Sequence, residues 1–233
     1  MERPDSLRPK ISLGISGVFT GLSLLLLMRG SPNDAFMAVL VFMLALLQLF
    51  EYGVWKNQDC FPGGSNDIAT RGAYVLLWLM PAVLGFAGYF LGSFIVAENM
   101  ANGMLLMSGF FFTILTGCLL SIMMYDRSTW CTTPGEQGQP IWWFLLNSSP
   151  LNLNILWILG MIIPVIFVDP LIIGSGILFS TGVSTVLALK ADPMMTGEWV
   201  SSTALMANGV GLWALVAPYI RNFLFFPVGS HYV

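Results

Sequence analysis

Leu47-Gln48-Leu49-Phe50-Glu51-Tyr52-Gly53 sets an ionisable side chain inside an otherwise apolar run. Gln48 and Glu51 are three residues apart, so a helix brings the amide and the carboxylate onto one face. A carboxylate in hydrocarbon is expensive, and one kept there marks proton, ion or polar-solute chemistry by default. Depth tempers this: Glu51 lies about one turn, roughly 6 Å at 1.5 Å per residue, from Trp55 and Lys56. It can reach interfacial water or pair with Arg71 beyond the next loop, so a structural hydrogen bond is the competing expectation. Further along stand Ser175, Ser180, Thr181, Ser184 and Thr185, then Ser201, Ser202, Thr203 and Asn208. Such groups bridge helices at about 0.6 kcal/mol each. Gln48, Glu51, Ser180, Ser184 and Asn208 would also serve as the wall of a narrow path for a small solute.

Other chemistry is missing from the sequence. The single histidine, His231, stands near the C-terminus, which excludes a bis-histidine haem site or a His-rich metal site. No H-E-x-x-H, G-x-S-x-G or P-loop pattern occurs. A retinal Schiff base needs a lysine deep in a helix, and the last apolar segment has none. No apolar segment holds an aspartate in its interior, which excludes paired-aspartate catalysis. The expectation is a non-catalytic protein without cofactor or metal. Its 14 methionines and 13% aromatic residues suit contact with pigment or lipid, but they suit ordinary packing equally.

Cys60 and Cys131 fall in different polar stretches, while Cys118 lies within an apolar one. A Cys60–Cys131 disulfide is possible if both stretches share one membrane face, and that face must then be oxidising. Two free thiols are the simpler expectation. Asn147-Ser148-Ser149 is a glycosylation sequon close to an apolar segment.

These residues need a scaffold that tolerates lipid. Of 233 residues, 56% are hydrophobic and 9% charged, against about 25% charged in soluble domains. Nine Lys+Arg against 12 Asp+Glu leave no basic field for nucleic acid. Seven apolar segments run over roughly 11–28, 35–55, 73–96, 103–125, 151–168, 171–189 and 199–226. Each approaches the roughly 20 residues that cross a bilayer core, and backbone groups in lipid must pair within the segment. The prediction is an all-α membrane protein, a bundle of about seven transmembrane helices, in one polytopic domain over 1–233. The first segment lacks a signal-type cleavage site and reads as a retained span. Trp142 and Trp143 suit an interfacial segment. Gly17-x-x-x-Gly21 and Gly88-x-x-x-Gly92 are small faces for close helix approach. Pro81, Pro164 and Pro218 each free a carbonyl inside a span.

Seven spans put Arg3, Arg8, Lys10, Lys56, Arg71, Arg127 and Lys190 on the N-terminal side and only Arg29 and Arg221 opposite. Positive residues favour the cytoplasmic face, so the charge bias puts the N-terminus in the cytoplasm. A Cys60–Cys131 disulfide would argue the reverse.

The patch from Gln48 through Glu51 to Trp55, with Gly197-Glu198-Trp199, resembles uncharacterised multi-span membrane proteins of algae and large algal viruses; the resemblance implies no activity. Seven spans also invite analogy with the sugar-transporter bundle of three helices, one linker and three more. Pro81 and Pro218 then fall in the third helix of each triplet. Two readings follow. One is a small-solute transporter or channel. The other is a non-catalytic subunit packed against other membrane subunits, with the lipid bilayer as common partner.

Overall fold

The computed structural model describes residues 8–30, 34–91, 98–125, 130–134, 140–141 and, apart from 158 and 162, 156–164. Four long helices fill this region: α1 (Arg8–Arg29), α2 (Asp34–Lys56), α3 (Ser65–Leu91) and α4 (Glu98–Tyr125). All four are long and apolar enough to cross a membrane, and the chain is an integral membrane protein. Residues 156–157, 159–161 and 163–164 are also helical, within the fifth apolar segment. The sixth and seventh segments, with Ser180, Ser184 and Asn208, lie outside the described residues, as does Trp142-Trp143.

Helices adjacent in sequence pack side by side: α1 on α2, α2 on α3 and α3 on α4. The first seam is stitched by hydroxyls. Ser16 Oγ donates to the Ala45 carbonyl at 2.9 Å and Ser23 Oγ to that of Ala38 at 2.8 Å. The two serines are seven residues apart, two turns on one face, and Ser12 is buried on the same face. At the end of α1, Gly30 takes a left-handed conformation (φ 63°) and returns its N–H to Leu26 O. Arg29 forms an ion pair with Asp34 in the first turn of α2. That places a cation at one helix C-terminus and an anion at the next N-terminus, as the two macrodipoles favour.

The two glycine faces fare differently, and Gly92 lies outside the described residues. Among the described residues, a Cβ on Gly17 or Gly21 would meet nothing within 4 Å, so this stripe is not the α1 seam. The close approach lies between α3 and α4. A Cβ on Gly85 would stand 2.7 Å from the Gly109 backbone nitrogen, and Gly88 backs onto Leu105.

Pro81 is buried inside α3. Having no N–H, it leaves the carbonyl four residues earlier, Leu77, without its helical donor. The indole Nε1 of Trp157 donates to that carbonyl at 2.7 Å. Gly160 allows this approach, since a Cβ there would overlap the Phe112 ring and the Pro81 side chain. At the next residue, Thr116 Oγ1 reaches the Trp78 carbonyl at 2.9 Å. A buried carbonyl without a donor costs about 1–3 kcal/mol. Trp157→Phe should therefore destabilise the protein by roughly that amount in denaturant titration, and an unchanged midpoint would contradict this role.

Candidate functional site

Two polar assemblies stand out, one on α2 and one where α3 and α4 leave the membrane. On α2, Gln48 is 2% and Glu51 6% exposed. Phe50 and Gly53 pack against α3, at Gly72 and Ala69 respectively. At 3.6 residues per turn, Gln48 and Glu51 lie about 200° around the helix from those two residues. They occupy another buried side of α2, shared with Leu40, Leu44 and Leu47. Glu51 Oε1 accepts a hydrogen bond from Trp55 Nε1 at 3.4 Å. The Gln48 Nε2 amide has no hydrogen-bond partner among the described residues.

Helix register fixes the depth of this pair. Ser16 lies against Ala45, Gly53 against Ala69, and Thr116 against Trp78. Carried along the antiparallel helices, these pairings place Glu51 at the level of Lys10, Arg71 and Met123. This is the outer layer of the bundle, on the side of the α2–α3 connection. Gln48 lies about one turn deeper, level with Tyr74.

The second assembly is a clasp. Cys60, after α2, and Cys131, after α4, are joined in a disulfide with Cα atoms 5.7 Å apart. The residues on either side of Cys131 are held independently. Asn66 donates its Nδ2 to Thr132 O at 3.0 Å and accepts Thr132 N–H at 3.1 Å, mimicking a strand pair with its side-chain amide. The Thr70 hydroxyl bonds both Asn66 Oδ1 and the Thr132 hydroxyl. Asp67 accepts the Trp130 N–H at 2.7 Å, the Gly63 N–H at 3.0 Å and Arg71 Nε at 3.1 Å. Its bond back to Gly63, a left-handed residue (φ 76°), works like a capping box at the start of α3.

Arg71 completes the clasp. Its Nη1 donates to the Met123 carbonyl at 3.0 Å, in the last turn of α4, where helix carbonyls lack internal donors. Its guanidinium lies over the Trp130 ring, and Tyr74 meets the same ring edge-on. Beyond it, β1 (Thr133–Pro134) pairs antiparallel with β2 (Pro140–Ile141), and β2 touches α2.

The structure departs from the sequence reading at three points. Arg71, suggested as a partner for Glu51, is engaged by Asp67, Met123 and Trp130, while a Trp55 indole bonds Glu51. Cys60 and Cys131, expected as thiols, are bonded to each other because the clasp delivers residues 130 and 132 to α3. Asn66, Asp67 and Thr70, which precede the apolar segment over 73–96, lie within α3. The i,i+4 spacing of Asp67 and Arg71 after Gly63-Gly64-Ser65 was the available sign of a helix start.

Among the described residues, no group of three or more His, Cys, Asp and Glu side chains is arranged to hold a metal. Comparison with known proteins yields no match: no family model fits the chain, and no curated protein or solved structure is significantly similar to it.

Proposed function

We propose that the chain provides a path through the membrane for a small polar solute or ion. Gln48 and Glu51 form part of its wall, and Ser180, Ser184 and Asn208 contribute from the later apolar segments. The buried Gln48 amide carries this reading: its Nε2 lacks a protein partner among the described residues. A donor left so in a buried site costs about 1–3 kcal/mol, which a passing solute or water molecule would offset. Glu51, one turn toward the membrane surface on the same side, supports it as the group met first from the clasp face.

The test is flux in liposomes holding purified protein. Proton entry is read with a trapped pH-sensitive dye, and urea and glycerol entry by osmotic swelling. At least one probe should enter faster than into empty liposomes. Gln48→Leu and Glu51→Gln should each slow it by about tenfold, equivalent to roughly 1.4 kcal/mol. Equal flux in variants and unsubstituted protein, with folding intact, refutes the reading.

A second reading, a non-catalytic subunit within a larger membrane assembly, draws on α1. Gly14, Gly17 and Gly21 face outward beside Val18, Leu24 and Leu25, a flat apolar surface of the kind on which membrane helices associate. Under that reading, Gly17→Leu changes the assembly state on a native gel and leaves liposome flux untouched.

A further inference from the structure

We infer that the membrane face carrying the α1 N-terminus, the α2–α3 connection and the clasp is the oxidising, non-cytoplasmic face, so that the chain lies with its N-terminus outside. The four helices alternate in direction, which puts the start of α1, residues 57–64 and residues 130–132 on one side. Cys60 and Cys131 are 71 residues apart, come from two separate connections on that side, and are bonded.

The placement of Cys131 does not rest on the disulfide alone. Trp130 is held through its N–H by Asp67, and Thr132 through both its N–H and its carbonyl by Asn66. The residue between them is therefore delivered to the start of α3 by bonds that exist with or without sulfur chemistry. A dithiol so preorganised gains little conformational freedom on reduction, and it closes wherever the compartment permits. The cytoplasm keeps thiols reduced, whereas lumenal, periplasmic and extracellular faces let such a bridge persist.

Lys and Arg counting gives the opposite orientation, and the structure weakens that count. Among the described residues, Arg8, Lys10, Lys56 and Arg71 lie on the clasp side and Arg29 on the other. Arg71 is a structural residue of the clasp, bound to Asp67, the α4 carboxyl end and Trp130. Arg127 and Lys190 belong to stretches outside the described residues. The charge rule is a statistical bias summed over short loops, while a persistent disulfide is a chemical requirement on one compartment.

The experiment uses the full chain with an N-terminal epitope tag, translated into sealed microsomes whose lumen is oxidising. Free thiols are blocked with N-ethylmaleimide before lysis, and peptides are mapped without and with reduction. The expected result is a tag protected from added protease until detergent is supplied, with the Cys60 and Cys131 peptides joined until reduced. Cys118, a free cysteine, is the internal control, since its peptide should run the same without and with reduction. A tag digested in intact microsomes overturns the inference, as does N-ethylmaleimide on Cys60 and Cys131 without reduction. The Cys60→Ser, Cys131→Ser double variant should keep the same tag protection, because the bond reports the orientation and does not set it.

Discussion

Gly85→Ala is expected to force α3 and α4 apart and to destabilise the protein by about 2 kcal/mol, within the range for overpacked cores. The added methyl would stand 2.7 Å from the Gly109 nitrogen, 2.9 Å from its Cα and 3.0 Å from the Leu105 carbonyl oxygen. All three are backbone atoms, so no side chain can swing aside and a whole helix must shift. Shifting α4 also pulls Thr116 from the Trp78 carbonyl and Met123 from Arg71. The matched control is Gly17→Ala, where the methyl meets nothing within 4 Å among the described residues. Intrinsic preference for Ala in a helix, up to about 1 kcal/mol in water, then sets the sign. Titration of the folded protein with sodium dodecyl sulfate should show Gly85→Ala unfolding earlier than the parent and Gly17→Ala no earlier. Coincident curves for all three would refute the packing argument.

Asp67→Asn should loosen the clasp at a cost of about 3 kcal/mol, the scale of losing charge-assisted bonds at a largely buried site. The carboxylate receives three donors, from Gly63, Trp130 and Arg71. An amide keeps one acceptor oxygen and turns an NH2 toward the remaining donors. Arg71 also loses the anion that orients it over Trp130 and toward Met123. Asp67 is nearly sealed from solvent and Arg71 about one-fifth exposed (side-chain accessibility 6% and 21%), so screening by water is modest. The clearest readout is local. Hydrogen exchange at the Trp130 amide should accelerate by at least about tenfold, a 1.4 kcal/mol change in opening, while amides around Trp78 in the α3 interior hold their rates. Unchanged exchange at Trp130 would sink the assignment of Asp67 as the anchor.

The sequence showed the four long apolar helices of the described region and little of the clasp. Apolar length alone located α1 and α2 to within a few residues, because composition and hydrogen-bond demand in lipid point the same way there. It missed the first two turns of α3, from Ser65 to Gly72, because those turns are polar. Their helicity comes from Asp67 capping and from long-range bonds to Trp130 and Thr132, more than 60 residues away. Glycine spacing was ambiguous for a related reason. Gly17-x-x-x-Gly21 has the spacing of a contact face, but only the neighbours present decide whether it becomes one. Gln48 and Glu51 were visible as polar residues in an apolar run, and their burial on one side of α2 follows from the spacing of three. Their depth was not legible, since it rests on the register between helices, which contacts at residues such as Ser16 and Gly53 set in three dimensions.

The Trp157 indole on the Leu77 carbonyl has a consequence for biogenesis. Translation delivers α3 to the lipid long before residue 157 leaves the ribosome, and during that interval the oxygen exposed by Pro81 has no indole to meet it. Until Trp157 is in place, the packing of α3 is expected to lack the donor that its Leu77 carbonyl has in the finished fold. A nascent chain arrested before Trp157 should be more readily extracted or degraded than one arrested after it, even though both carry the same four spans.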